Sequence, residues 1–252
     1  MRWEGNRQSD NVEDRRAGGG GGGFGFGGKS IGIGTIVIAL LAWGVFGINP
    51  LTTIGVLGGA GSQVSQPAPG QAPPANDQAA AFVSTVLAST EDAWTQIFRQ
   101  GGAQYREPRL VLFRGATRTA CGMGQSAMGP FYCPADQTVY LDMEFFDTLQ
   151  RQLNAPGEFA RAYVIAHEVG HHVQTLLGTT GKVDSLRGRV SERENNALSV
   201  RMELQADCFA GIWANKSQQA KNWLEQGDLE SAMNAAARIG DDHLQRQQTG
   251  MV

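Results

Sequence analysis

The five residues His167-Glu168-Val169-Gly170-His171 place two imidazoles four positions apart, with a carboxylate beside the first. On an α-helix, residues four apart lie one turn along the same face. Both rings can therefore reach a single cation while Glu168 projects next to them. Imidazole and carboxylate are donors that bind zinc, and a carboxylate beside a metal-activated water is a general base. Chance would produce this spacing roughly three times in a thousand chains of this composition, too rarely to prefer coincidence. The flanking residues Val164, Ile165, Ala166, Val169, Val173 and Leu176 are apolar. Ionisable groups set among them would be costly to bury without a metal or other partners.

Catalytic zinc takes three protein ligands and leaves a fourth position to water, so a further donor must come from elsewhere in the chain. Glu203 and Asp207 are also four apart, beside an apolar run of Cys208, Phe209, Ala210, Ile212 and Trp213. One of the two can bind the ion while the other accepts an N–H from a ligating ring, fixing its orientation. We read Glu203 as the ligand and Asp207 as the partner of His167, with His171 as the alternative. His172 lies about 100° round the helix from His171, so it should face elsewhere, at the surface or in a supporting contact. Cys208 is offset in the same way and reads as a small buried hydrophobe. Cys121 or Cys133 as a ligand would suggest a deformylase-like site, but no Glu-Gly-Cys-Leu-Ser segment surrounds either. Outside the cytoplasm the two should instead form a disulfide. Gly170 costs about 1 kcal/mol inside a helix relative to Ala, which we read as room, with Ala166 and Ala206, for two helices to approach closely.

These residues need a scaffold of helices. Glu158 to Leu177 reads as a long helix ended by Gly178, and about 191–215 as a second. Shorter helices are expected at 218–226 and 228–239. Upstream, Asp77 can cap a helix with Phe82, Val83, Val86, Leu87, Trp94, Ile97 and Phe98 on one stripe. Arg109 to Arg114 and Thr138 to Met143 read as strands, and Glu144 to Leu153 as a helix. The pattern predicts an α+β fold, mostly helical, with a small β-sheet.

The remainder of the 252 residues is organised differently. Residues 1–30 are polar and then glycine-rich, with Gly18 to Gly23 unbroken, and we read them as a disordered head. Ile31 to Ile48 carry no charge, enough for a transmembrane helix over 31–50. Arg15, Arg16 and Lys29 precede this run, and no Lys or Arg follows until Arg99. The expectation is a single-pass protein of the cytoplasmic membrane, its head cytoplasmic and the rest periplasmic or otherwise extracytoplasmic. Residues 51–76 should be a Pro/Ala/Gln-rich tether, leaving 77–252 as the globular domain. A net charge of −3 excludes a strongly basic nucleic-acid binder, so no nucleic-acid partner is expected.

The stretches Ala166–Gln174 (AHEVGHHVQ), Glu203–Gly211 (ELQADCFAG) and Gly129–Asp142 (GPFYCPADQTVYLD) resemble the bacterial neutral zinc metallopeptidase family. The glycine-rich head, the apolar span and Ile239–Gln245 are similar too. The wider pattern resembles gluzincins, zincin-like enzymes whose His-Glu-x-x-His is completed by a Glu with an Asp four residues on. The resemblance implies one Zn²⁺ per chain on His167, His171 and Glu203, Glu168 as general base, Asp207 behind the ligands, and a peptide or protein substrate. An oxyanion helper is expected, with Tyr140, Tyr163 and His243 as candidates. The strand Thr138–Asp142 could align an extended peptide along an exposed edge. Two alternatives remain open: a tethered binding or assembly factor with a structural or vestigial zinc, and an amidase acting on cell-envelope material.

Overall fold

The structure is a computed structural model and describes residues 1–16, 71–125, 129–146 and 157–239. The span expected at 31–50, the tether up to Gly70, most of the helix expected at 144–153, and His243 lie outside those residues. Among the described residues no helix is long and apolar enough to cross a membrane.

The fold is α+β and mostly helical. Its strands are β1 (Val12–Asp14), β2 (Arg109–Phe113), β3 (Ala116–Thr119), β4 (Gly122–Gln125), β5 (Phe131–Cys133) and β6 (Thr138–Asp142). Its helices are α1 (Gln78–Gln100), α2 (Glu158–Leu176), α3 (Thr179–Leu186), α4 (Glu192–Lys221) and α5 (Asp228–Ile239). Four strands form one sheet in the order β1-β2-β6-β5, parallel except for β5, and β3 and β4 form a separate hairpin.

Helix boundaries follow their caps. Asp77 accepts the Ala80 N–H at 3.0 Å and starts α1, satisfying one of the donors a helix start leaves open. Ser191 and Glu194 form a reciprocal capping box at the start of α4. Helix α4 then runs unbroken to Asn222, which takes a left-handed conformation at φ 47°. The break expected near 215–218 is absent, since that stretch holds no glycine or proline to impose one. Gly178, at φ 75°, ends α2 and starts α3, so the stretch after the first site helix is itself helical. The core lies between α1, α2, α4 and the sheet, with Val83, Leu87, Leu110, Leu141, Phe159 and Trp213 fully buried.

Two expectations are corrected here. The strand Thr138–Asp142 is not an edge: β6 lies between β2 and β5 with all five residues buried. Its run of apolar side chains belongs to a strand covered on both faces. The second correction is the head. Residues 1–16 belong to the same compact unit as 71–239, and β1 pairs with β2 in register Val12↔Leu110. Trp3 sets its ring edge against Phe82 at 5.4 Å, and the Arg2 N–H donates to the Trp223 carbonyl at 2.8 Å. Glu91 of α1 is buried and accepts from Arg7 at 2.9 Å, Ser9 at 2.5 Å and Asn11 at 2.9 Å. A polar segment with little apolar area orders here because a buried carboxylate and an open strand edge need what it carries.

Candidate metal centre

Helices α2 and α4 pack side by side and carry the site between them. At their closest approach, a Cβ built on Gly170 would lie 2.9 Å from the Ala206 carbonyl oxygen. Ala166 and Ala206 are fully buried, as the small-residue pattern predicts. This contact brings His167, His171 and Glu203 together, with one donor atom from each within 4.8 Å of the others. Glu203 Oε2 lies 3.2 Å from His167 Nε2 and 3.5 Å from His171 Nε2. Zinc arms of about 2.0–2.1 Å at tetrahedral angles set donors about 3.3 Å apart, so the three residues fit that ion. Among the described residues this is the one such donor group.

The ring orientations follow from what each Nδ1 touches. The His167 Nδ1–H donates to Asp207 Oδ1 at 2.8 Å, the pairing read from the sequence. The His171 Nδ1–H donates to Gln174 Oε1 at 2.9 Å. Both rings therefore turn Nε2 toward Glu203. Burial alone would lower the pKa of His167, but the Asp207 and Glu203 carboxylates outweigh it and push it up to about 10. His171 is likewise raised against burial, by Glu203 and Glu168. Burial would raise Glu203, yet the two rings draw it down to about 2. Without a metal the carboxylates thus hold protons on the imidazoles. A site that demands positive charge so strongly suits a dication that replaces those protons.

The family model described as "Putative neutral zinc metallopeptidase" matches residues 1–252. The chain belongs to that family. It is 53% identical to the uncharacterized protein YpfJ of Escherichia coli K12, over all of this chain and 88% of the relative. It is 39% identical to the uncharacterized protein Rv2575 of Mycobacterium tuberculosis H37Rv, over 67% of this chain and 59% of the relative. No solved structure matches it.

In this metallopeptidase-family chain the donors open onto a cleft of about 400 Å³. Glu168, largely buried, lines it beside His167 and His171, as do Phe131 and Tyr132 of β5, Phe145, Val164 and Met202. The oxyanion candidates divide. Tyr163 lines the cleft, but its hydroxyl donates to the Asp207 oxygen that also receives His167. Tyr140 stands away from the cleft, stacked on Phe131 and donating to Asp136 at 2.9 Å. Burial and Asp136 push its pKa up to about 12. Cys121 and Cys133 form the expected disulfide.

Three residues differ from expectation or were passed over. His172 is fully buried, which sets aside the surface reading and leaves the supporting contact. Its Nε2–H donates to the Arg106 carbonyl at 2.6 Å, leaving Nδ1 to accept from the Tyr132 hydroxyl at 3.0 Å. Burial lowers its pKa, consistent with a neutral ring that steadies Tyr132 at the cleft wall. Cys208 is exposed, because α4 turns it away from the apolar face that Ala206 and Ala210 occupy. Gln174 escaped notice, although its spacing of three from His171 places it on the same helix face.

Proposed function

We propose that the protein is a zinc-dependent metallopeptidase that hydrolyses peptide bonds with Glu168 as general base. The observation that carries this reading is the convergence of His167 Nε2, His171 Nε2 and Glu203 Oε2 at ligand-like spacing, with Glu168 on the same wall of an apolar cleft. Zinc, when held there, lowers the pKa of a water and polarises a carbonyl. Glu168, on the cleft wall beside the two rings, would take a proton from the attacking water and return it to the leaving amine. Asp207 and Gln174 keep each ring's Nε2 directed inward. The three-donor set argues against a structural zinc, which is usually closed by four protein ligands.

The β5 edge supplies the peptide-aligning role first assigned to β6. Among the described residues β5 pairs with β6 alone, and its Phe131 and Tyr132 line the cleft. An extended peptide laid along that edge gains main-chain hydrogen bonds and faces the donors.

Glu168→Gln tests the reading. It should bind zinc with unchanged stoichiometry and lose about 10²–10⁴ in turnover of a peptide library. Turnover at the wild-type rate would remove Glu168 from the reaction.

A further inference from the structure

We propose that Gln174 is a positioning residue for the metal centre, an inference that rests on the metal reading above. It presets His171 as a ligand and ties that ring to the helix bearing Glu203. Gln174 is fully buried, and both ends of its amide are used. Its Nε2–H donates to the Met202 carbonyl at 2.6 Å, and its Oε1 accepts from His171 Nδ1 at 2.9 Å. A carbonyl can only accept, so Met202 fixes which way the amide points. With Oε1 facing the ring, His171 must carry its proton on Nδ1 and present the Nε2 lone pair to the cleft. Met202 adjoins Glu203, so one side chain spans both site helices within a residue of the third donor. The two ligand rings are thus held by unlike partners, a carboxylate for His167 and a neutral amide for His171.

The test compares Gln174→Leu and Gln174→Glu with the wild-type chain. Zinc affinity is read by competition with a chromophoric chelator, and the melting temperature of the metal-free protein is read in parallel. Gln174→Leu should bind zinc about 10–100-fold more weakly, the usual loss when the partner of a ligating His is removed. Gln174→Glu should recover most of that loss, because a protonated carboxyl can donate its O–H to the Met202 carbonyl while its other oxygen accepts the same Nδ1–H. Wild-type affinity in Gln174→Leu would overturn the proposal. So would equal weakening in both variants alongside an equal fall in metal-free melting, which marks packing alone. Failure of the wild-type chain to bind zinc would instead remove the metal reading beneath it.

A second inference is carried independently by the head. We infer that residues 1–16 and the metal-bearing unit lie on the same side of any membrane the chain meets. Strand β1 is hydrogen-bonded within the sheet, and the Asp14 N–H donates to the Gln71 carbonyl at 2.7 Å. Arg7, Ser9 and Asn11 surround a buried Glu91. None of these contacts can form across a hydrocarbon layer about 30 Å thick. Arg16 and Gln71 therefore lie on one side, which a single crossing between them does not allow.

Two thiols test this in the full chain. Cys208 is a free, exposed cysteine in the metal-bearing unit, and Gln8→Cys in a Cys208→Ser background reports on the exposed head. With a membrane-impermeant maleimide on spheroplasts, before and after permeabilisation, the two sites should label alike. Labelling of one without the other in sealed spheroplasts would overturn the inference.

Discussion

Gly170→Ala sets two effects of known size against each other. Alanine inside a helix is favoured over glycine by about 1 kcal/mol. Its Cβ, however, would lie 2.9 Å from the Ala206 carbonyl oxygen and 3.1 Å from the Ala206 Cα. Both are backbone atoms, which cannot rotate aside, so α2 and α4 must separate by a few tenths of an ångström. Overpacking of this kind costs about 1–3 kcal/mol, so the steric term wins. The net change should be a loss of stability of up to about 2 kcal/mol after the propensity gain is subtracted. The separation falls three residues from Glu203, whose oxygen stands 3.2 and 3.5 Å from the two rings, so zinc affinity should fall as well. Gly211→Ala is the control, because nothing lies within 4 Å of its Cβ position on the same helix pair. It should gain stability by about 0.5–1 kcal/mol. Urea denaturation of both metal-free variants, with chelator competition for zinc, separates the terms. A Gly170→Ala protein as stable as Gly211→Ala would refute the close-approach argument.

The metal-free protein should respond to pH through the same cluster. His167 is raised from 6.5 to about 10, so its contribution is complete below pH 6.5 and is lost as pH rises through about 10. Glu203 is lowered from 4.5 to about 2, so its share is present above pH 4.5 and is lost as pH falls through about 2. As these are two sides of one interaction, metal-free melting should peak between those limits and decline on either side. A melting temperature still rising from pH 7 to pH 10 would contradict this. Arg7→Ala leaves the buried Glu91 without its cation. Breaking a buried pair costs about 3–5 kcal/mol. Arg7 is half exposed and Ser9 and Asn11 remain bonded, so about 2–3 kcal/mol is expected in chemical denaturation. A change below about 0.5 kcal/mol, the range of ordinary surface substitutions, would show the head to be dispensable.

The site was legible because its constraints are local. Two rings on one helix turn and two carboxylates on another fix which residues share a face, and the small residues at Ala166, Gly170 and Ala206 announce a close pair of helices. The head was not legible for the opposite reason. Its strand is three residues long, and its partners, Glu91 and Leu110, lie some eighty to a hundred residues away. Composition records how little apolar surface a segment carries but not that a distant carboxylate awaits its arginine. Likewise, β6 reads as an ordinary short strand, and its inner position depends on β5, three residues long and too short to declare itself. Gln174 was hidden because a glutamine in a helix ordinarily signifies a solvated face.

The docked head also bears on biosynthesis. Arg2 bonds to Trp223, and the Trp3 indole donates to Glu158 at 2.9 Å, so these residues find partners in segments made far later in the chain. Such contacts cannot form progressively during translation, since their loop closes over most of the chain. Residues 1–16 can therefore complete their docking only after the chain through Trp223 has been made.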